Sequence, residues 1–153
     1  MRNPDDYYMA LALDEARKAG ARGEVPIGAV LVHIDTGEIL VSGNNTITGS
    51  DPTAHAEIEV IRCGCGQEHS QRIPAYDLFV TLEPCAMCAA AISFARIRRL
   101  IFGAIDPKGG GVMHGGKFYE QSTCHHKPEV IHLPVDECGQ VLKDFFAARR
   151  GKS

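Results

Sequence analysis

The chain has no tryptophan, no internal repeat, and a net charge of only −3 over 153 residues. It also lacks any unbroken apolar run of about 18 residues, which excludes a membrane-spanning helix. Its first twenty residues carry Asp5, Asp6, Asp14 and Glu15. That charge leaves no apolar segment of the kind a secretory signal needs, so a cytoplasmic protein is expected. With 44% hydrophobic and 23% charged residues, the composition excludes collagen, coiled coil and disorder. The length suits one domain, residues 1–153. A chain of this size buries roughly 70% of its unfolded surface and needs neither disulfides nor a metal merely to fold.

What the sequence does have is cysteine, six in all. Disulfides rarely persist in the cytosol, so some of these cysteines are expected to bind metal or act chemically. The small net charge also hides an asymmetry. Residues 1–95 hold 6 Lys/Arg against 13 Asp/Glu, and residues 96–153 hold 10 against 6. Such a difference between halves is either scattered surface charge or the mark of a partner surface.

Hydrophobic periodicity outlines the elements. Met9, Ala12, Leu13 and Ala16 share one helical face, predicting a helix over 5–19 with Gly20 as its stop. Ile27–Ile34 and Ile39–Ser42 read as strands joined in an antiparallel hairpin by Asp35-Thr36-Gly37. Asp51 as N-cap and Pro52 at the first helical position open a second helix, ended by Gly64 and Gly66. Asp77–Leu82 is a buried strand, Pro84 starts a helix running to about Phe94, and Leu100–Gly103 and Glu129–His132 are further strands. Val135, Cys138, Leu142, Phe145 and Arg149 lie at helical spacing, which places Phe145 in the core of a terminal helix. The order is α/β, with a central mixed five-stranded sheet covered on both faces.

The chemistry concentrates in His55-Ala56-Glu57 and Pro84-Cys85-Ala86-Met87-Cys88. Cys85 and Cys88, three apart, share one face of a first helical turn. The positive end of the helix dipole favours the thiolates a metal requires. His55 adds an imidazole nitrogen. Two sulfurs and one nitrogen suit tetrahedral zinc, with the fourth position left for water as in catalytic sites. Glu57, two residues from His55, need not be a ligand and can take a proton from that water. H-x-E…P-C-x-x-C is the established signature of zinc nucleobase deaminases. A structural zinc completed by Cys63 or Cys65 is the competing reading.

Other groups stay open. Cys63-Gly64-Cys65 with His69 is either a loop or part of a second metal site. Cys124-His125-His126 is a polar surface segment, a ligand set, or a contact to nucleic acid. Cys138 falls on an apolar stripe and reads as core. Asn44 reads by itself as a turn residue in Gly43-Asn44-Asn45. The run 109–116 (GGGVMHGG) lacks the Gly-Lys-Ser/Thr ending of a phosphate loop. It is either a mobile loop that closes on a substrate or a surface connection.

The segments EVPIGAV (24–30), DPTAHAEI (51–58), TLEPC through Cys88 (81–88) and the tail Asp144-Phe145-Phe146 with Arg149 and Arg150 resemble the cytidine deaminase-like superfamily, and within it the bacterial tRNA-specific adenosine deaminases. The resemblance implies a three-layer α/β/α sandwich, a homodimer, and one zinc per chain held by His55, Cys85 and Cys88. It implies conversion of the wobble adenosine of a tRNA anticodon stem-loop to inosine. Glu57 would deprotonate the water that attacks C6 of adenine, then return the proton to the base and the leaving ammonia. Asn44 matches a residue that contacts the flipped base. On this reading Arg96, Arg98, Arg99, Lys108, Lys117, Lys127, Arg149 and Arg150 are candidate phosphate contacts, and Phe118, Tyr119, Phe145 and Phe146 candidate stacking partners. A small-molecule guanine or cytosine deaminase on the same scaffold is the alternative.

Overall fold

A computed structural model of the chain describes residues 3–150. The elements run α1 (Pro4–Ala21), β1 (Gly28–His33), β2 (Ile39–Gly43), α2 (Ala56–Glu68), β3 (Tyr76–Val80), α3 (Ala86–Phe94), β4 (Arg99–Phe102), a 3₁₀ turn (Phe118–Glu120), β5 (Glu129–His132) and α4 (Asp136–Arg150). The strands form one sheet in the order β2-β1-β3-β4-β5. β1 pairs antiparallel with β2 and β3, while β3, β4 and β5 run parallel. The expected mixed five-stranded sheet is therefore present, with helices on both faces.

The strand alternation explains the layers. Val30, Val32, Phe79 and Ile101 point to one face, where Met9, Ala12 and Leu13 of α1 and Cys138 of α4 cover them. Ala29, Leu31, Leu78, Val80, Leu100 and Phe102 point to the other, under Val60 and Ile61 of α2 and Ala89 and Ile92 of α3. Side chains alternate between faces with period 2. Because both faces are buried, these strands read in the sequence as continuous apolar runs. Cys138 is core, as expected: its sulfur lies so close to Gly103 that a Cβ there would sit 2.6 Å away.

Three expected boundaries are corrected. α1 does not stop at Gly20 but continues to Ala21, and Arg22 N–H closes the last turn on Lys18 and Ala19 carbonyls. α2 begins at Ala56, not at Asp51-Pro52. Asp51 instead closes a local turn, its Oδ1 accepting from the Thr53 amide at 2.9 Å and hydroxyl at 2.7 Å. Nor does α2 end at Gly64 and Gly66. It runs through both to Glu68, and Gly64 is needed inside it because Leu31 and Ile73 press against that turn. The hairpin turn holds: Gly37 adopts φ +74°, and its N–H bonds to His33 O at 2.9 Å.

Phe145 is a further correction. It lies half-buried on α4, outside both apolar clusters, with the Arg149 guanidinium 4.3 Å above its ring. Among the described residues no helix is long and apolar enough to cross a membrane.

Candidate active site

His55 and Cys85 occupy equivalent places, each the N-cap residue of its helix in extended backbone conformation. An N-cap side chain usually bonds to the first free amides of its helix. Neither of these does so, which leaves both free to face each other. The capping of α2 comes from elsewhere: Asn44 Oδ1 accepts from the Ala56 amide at 2.8 Å. Cys88, one turn into α3, is fully buried.

The His55 Nδ1 atom lies 3.6 Å from Cys85 Sγ and 3.5 Å from Cys88 Sγ. A tetrahedral zinc with bonds of about 2.0 Å to nitrogen and about 2.3 Å to sulfur sets such donors roughly 3.5 Å apart. The three residues thus have both the donor chemistry and the spacing for one zinc ion. They are the only His/Cys/Asp/Glu cluster of this kind among the described residues. Proton affinities in the trio are polarised. A hydrogen bond from Cys88 pushes the Cys85 thiol down to about 4, against its burial and with help from His55. The same bond, burial and the Glu57 charge push the Cys88 thiol up.

Glu57, in the first turn of α2, is 4% exposed. Burial pushes its carboxyl up to about 7, a shift the nearby Cys85 charge reinforces. A carboxyl poised near neutrality suits proton transfer in both directions. Glu57, His55 and Cys85 line one pocket of about 190 Å³, together with Ile27, Leu82, Glu83, Asp106 and Gly109. That is smaller than the roughly 300–1,000 Å³ of pockets for drug-sized ligands.

Two buried carboxylates hold the segments around this pocket, and local sequence patterns do not reveal either. Glu24, fully buried, accepts from the amides of Ile47 at 3.1 Å and Thr48 at 2.7 Å, fixing the connection that follows Asn44. Burial alone would raise its pKa, but these bonds outweigh it and hold the carboxyl below its ordinary value. Glu83 does the same for the glycine-rich segment. It accepts from the amides of Asp106, Val112, Met113 and His114, and its pKa is likewise lowered despite burial.

Residues 2–104 match the family model of the cytidine and deoxycytidylate deaminase zinc-binding region. A tRNA-specific adenosine deaminase of Agrobacterium fabrum is 57% identical over 145 residues, covering 94% of this chain and 95% of that protein. Another from Aquifex aeolicus is 37% identical, covering 95% of each. The chain belongs to the tRNA-specific adenosine deaminase family. A solved structure from a study of A-to-I editing by tRNA:A34 deaminases superposes with a TM-score of 0.82 at 57% identity, covering 86% of this chain and all of that one. A guanine deaminase from Nitrosomonas europaea shares the fold alone, with a TM-score of 0.81 over 96% and 86% of the two chains at 19% identity.

Within this adenosine deaminase family member, the remaining candidate residues sort by contact. Cys63 is exposed, and Cys65 packs partly against the core. Cys124 and His126 anchor a loop to α3 and the connection after it: Cys124 Sγ lies 3.7 Å from Ser93 Oγ, Ser93 Oγ donates to His126 O at 2.7 Å, and His126 Nε2 lies 2.8 Å from Ile97 O. Arg98 and Arg99 are engaged by buried Asp77, at 2.6 and 2.9 Å. Tyr119 is buried with its hydroxyl on Ala89 O at 2.9 Å, so it offers no face for stacking. Lys108, Lys143, Arg150 and Phe146 instead line a groove of about 620 Å³ that shares Ile27, Leu82 and Asp106 with the pocket.

Proposed function

We propose that this protein hydrolytically deaminates adenosine to inosine at the wobble position of a tRNA anticodon, with His55, Cys85 and Cys88 holding one zinc and Glu57 moving the protons. The observation that carries the reading is buried Glu57 sharing one small pocket with His55 and Cys85 of that donor triangle. The 57% identity to a tRNA-specific adenosine deaminase supports the choice of substrate.

Bound zinc supplies a water molecule acidified enough to be a nucleophile near neutral pH. With zinc held there, buried Glu57 would carry one proton from that water to the ring nitrogen and a second from the new C6 hydroxyl to the departing amine, so that a C6–O bond forms as the C6–N bond breaks and ammonia leaves. Asn44 orients the base. Its carbonyl is engaged by the Ala56 amide, so the donor end of its side chain is what it offers. A pocket of this size takes a single base, which must leave its stack to enter. The flanking nucleotides of the anticodon stem-loop lie in the adjoining groove, where Lys108, Lys143 and Arg150 meet phosphates and Phe146 offers a ring.

The single domain 1–153 acts as a cytoplasmic homodimer on this reading. Met87 and Phe94, seven residues apart on the exposed side of α3 and 36% and 67% exposed, support a face for the second copy. The test is incubation of the purified protein with tRNA, free guanine and free cytosine, followed by mass analysis. Conversion of one anticodon adenosine is expected. Fast turnover of free guanine or cytosine would replace this reading with the small-molecule one.

A further inference from the structure

The run 109–116 has no counterpart in the zinc motif, yet its middle is not a surface connection. Gly110 and Gly111 are buried. A Cβ on Gly110 would overlap the Glu83 carboxylate. Glu83, wholly buried after β3, receives five hydrogen bonds from the segment 106–114. Its Oε1 accepts from the Asp106 amide at 3.0 Å and lies 2.8 Å from His114 Nδ1. Its Oε2 accepts from the amides of Val112, Met113 and His114 at 3.3, 2.9 and 3.1 Å. A carboxylate only accepts, so His114 Nδ1 carries a hydrogen. Asp106 and Gly109, at the start of the held segment, line the pocket with His55, Glu57 and Cys85.

We propose that Glu83 is a positioning residue for the deamination, holding the segment from Asp106 to His114 as a fixed wall of the base pocket, with His114 as its side-chain partner. The inference rests on the proposed reaction for what enters the pocket. Both oxygens of Glu83 face two or more donors, so a glutamine has no orientation that satisfies them. Whichever way its amide turns, an NH₂ group meets N–H groups. The wall then loosens, while the zinc ligands, carried by other backbone, stay in place. The cost falls on capture of the base more than on proton transfer.

The experiment measures zinc content, kcat and KM on an anticodon stem-loop, and amide hydrogen exchange for wild type, Glu83→Gln, His114→Ala and His114→Asn. In Glu83→Gln the KM is expected to rise about tenfold or more, with a smaller change in kcat and about one zinc retained. Exchange at Val112–His114 is expected to accelerate while α3 stays protected. His114→Ala, which removes one donor of five, shifts the same quantities by about threefold, and His114→Asn, which keeps a side-chain N–H, restores most of the loss. A Glu83→Gln protein with unchanged KM, or with kcat lost at constant KM, overturns the proposal. If Glu83→Gln fails to fold, equal behaviour of His114→Ala and His114→Asn overturns it instead. A wild-type protein inactive on the stem-loop would defeat the proposed reaction. The exchange arm, which needs no substrate, decides the role of Glu83 even then: unchanged exchange at 112–114 overturns it.

Discussion

Gly111→Ala is expected to lower the melting temperature and weaken substrate capture together. Gly111 lies where the glycine-rich segment crosses the start of α3. Its N–H donates to Pro84 O and its carbonyl accepts from the Phe118 amide, both at 2.8 Å. A Cβ added there would stand 2.7 Å from the Ala86 N and Cα atoms and 3.0 Å from the Cys85 carbonyl carbon. All three are backbone atoms, which cannot swing aside as a side chain would. Ordinary carbon contacts begin at about 3.5 Å, so one of the two segments must move by nearly an ångström. Overpacking of this kind costs about 1–3 kcal/mol. At roughly 2–4 °C per kcal/mol for chains of this size, the melting temperature should fall by about 2–12 °C. α3 is locked by buried Cys88, Ala89 and Ile92, so the segment is what moves. KM should therefore rise while zinc is retained. Gly116→Ala is the control. It lies in the same run, with nothing within 4 Å of its would-be Cβ, and should leave the melting temperature unchanged or slightly raised. Thermal melts by circular dichroism with zinc analysis read both variants. If Gly111→Ala melts with wild type, or if the two variants shift equally, the close-contact reasoning fails.

Glu57→Ala should keep about one zinc per chain and lose deamination by a factor of about 10²–10⁴; loss of zinc with activity would refute its separation from the ligands. With three cations in the groove and a counterion-release slope of about −0.7 per phosphate contact, kcat/KM on a stem-loop should fall about 20-fold between 50 and 200 mM salt. A change below about twofold would show that the groove does not meet phosphates. Glu24 titrates below its ordinary value in the folded chain and near about 4.3 when unfolded. Its contribution to stability is thus full above the unfolded value and lost as pH falls through the folded one. Melting curves taken from about pH 6 down to about pH 3 should drop more steeply for wild type than for Glu24→Gln, and parallel curves would remove Glu24 from the acid response.

The cluster of His55, Cys85 and Cys88, which could hold a metal ion, was legible because the residue types and the three-residue step from Cys85 to Cys88 mark it in the sequence. The hairpin was legible for a similar reason, since the left-handed backbone at Gly37 strongly favours glycine. What stayed hidden was non-local. Asp51 carries a true capping signal, but its oxygen serves a turn to Thr53. The amide at the real helix start is met by Asn44, twelve residues earlier. Gly64 and Gly66 read as stops because glycine weakens helices, whereas at Gly64 the neighbouring Leu31 and Ile73 outweigh that preference. Phe145 fits the helical period but lies beneath Arg149, outside both apolar clusters. The clamps made by Glu24 and Glu83 leave no periodic trace, because their partners are backbone amides 23 or more residues away.

His55 and Cys85 sit on the ends of two helices anchored in the core, whereas the pocket wall is a loop gathered around one carboxylate. Inheritance can therefore act on the two separately. Substitutions between residues 106 and 116 can redraw which molecules are accepted without endangering the reaction itself, provided the acidic anchor and the crowded glycines survive. A scaffold divided in this way can diversify by changing its doorway while its machinery stays constant.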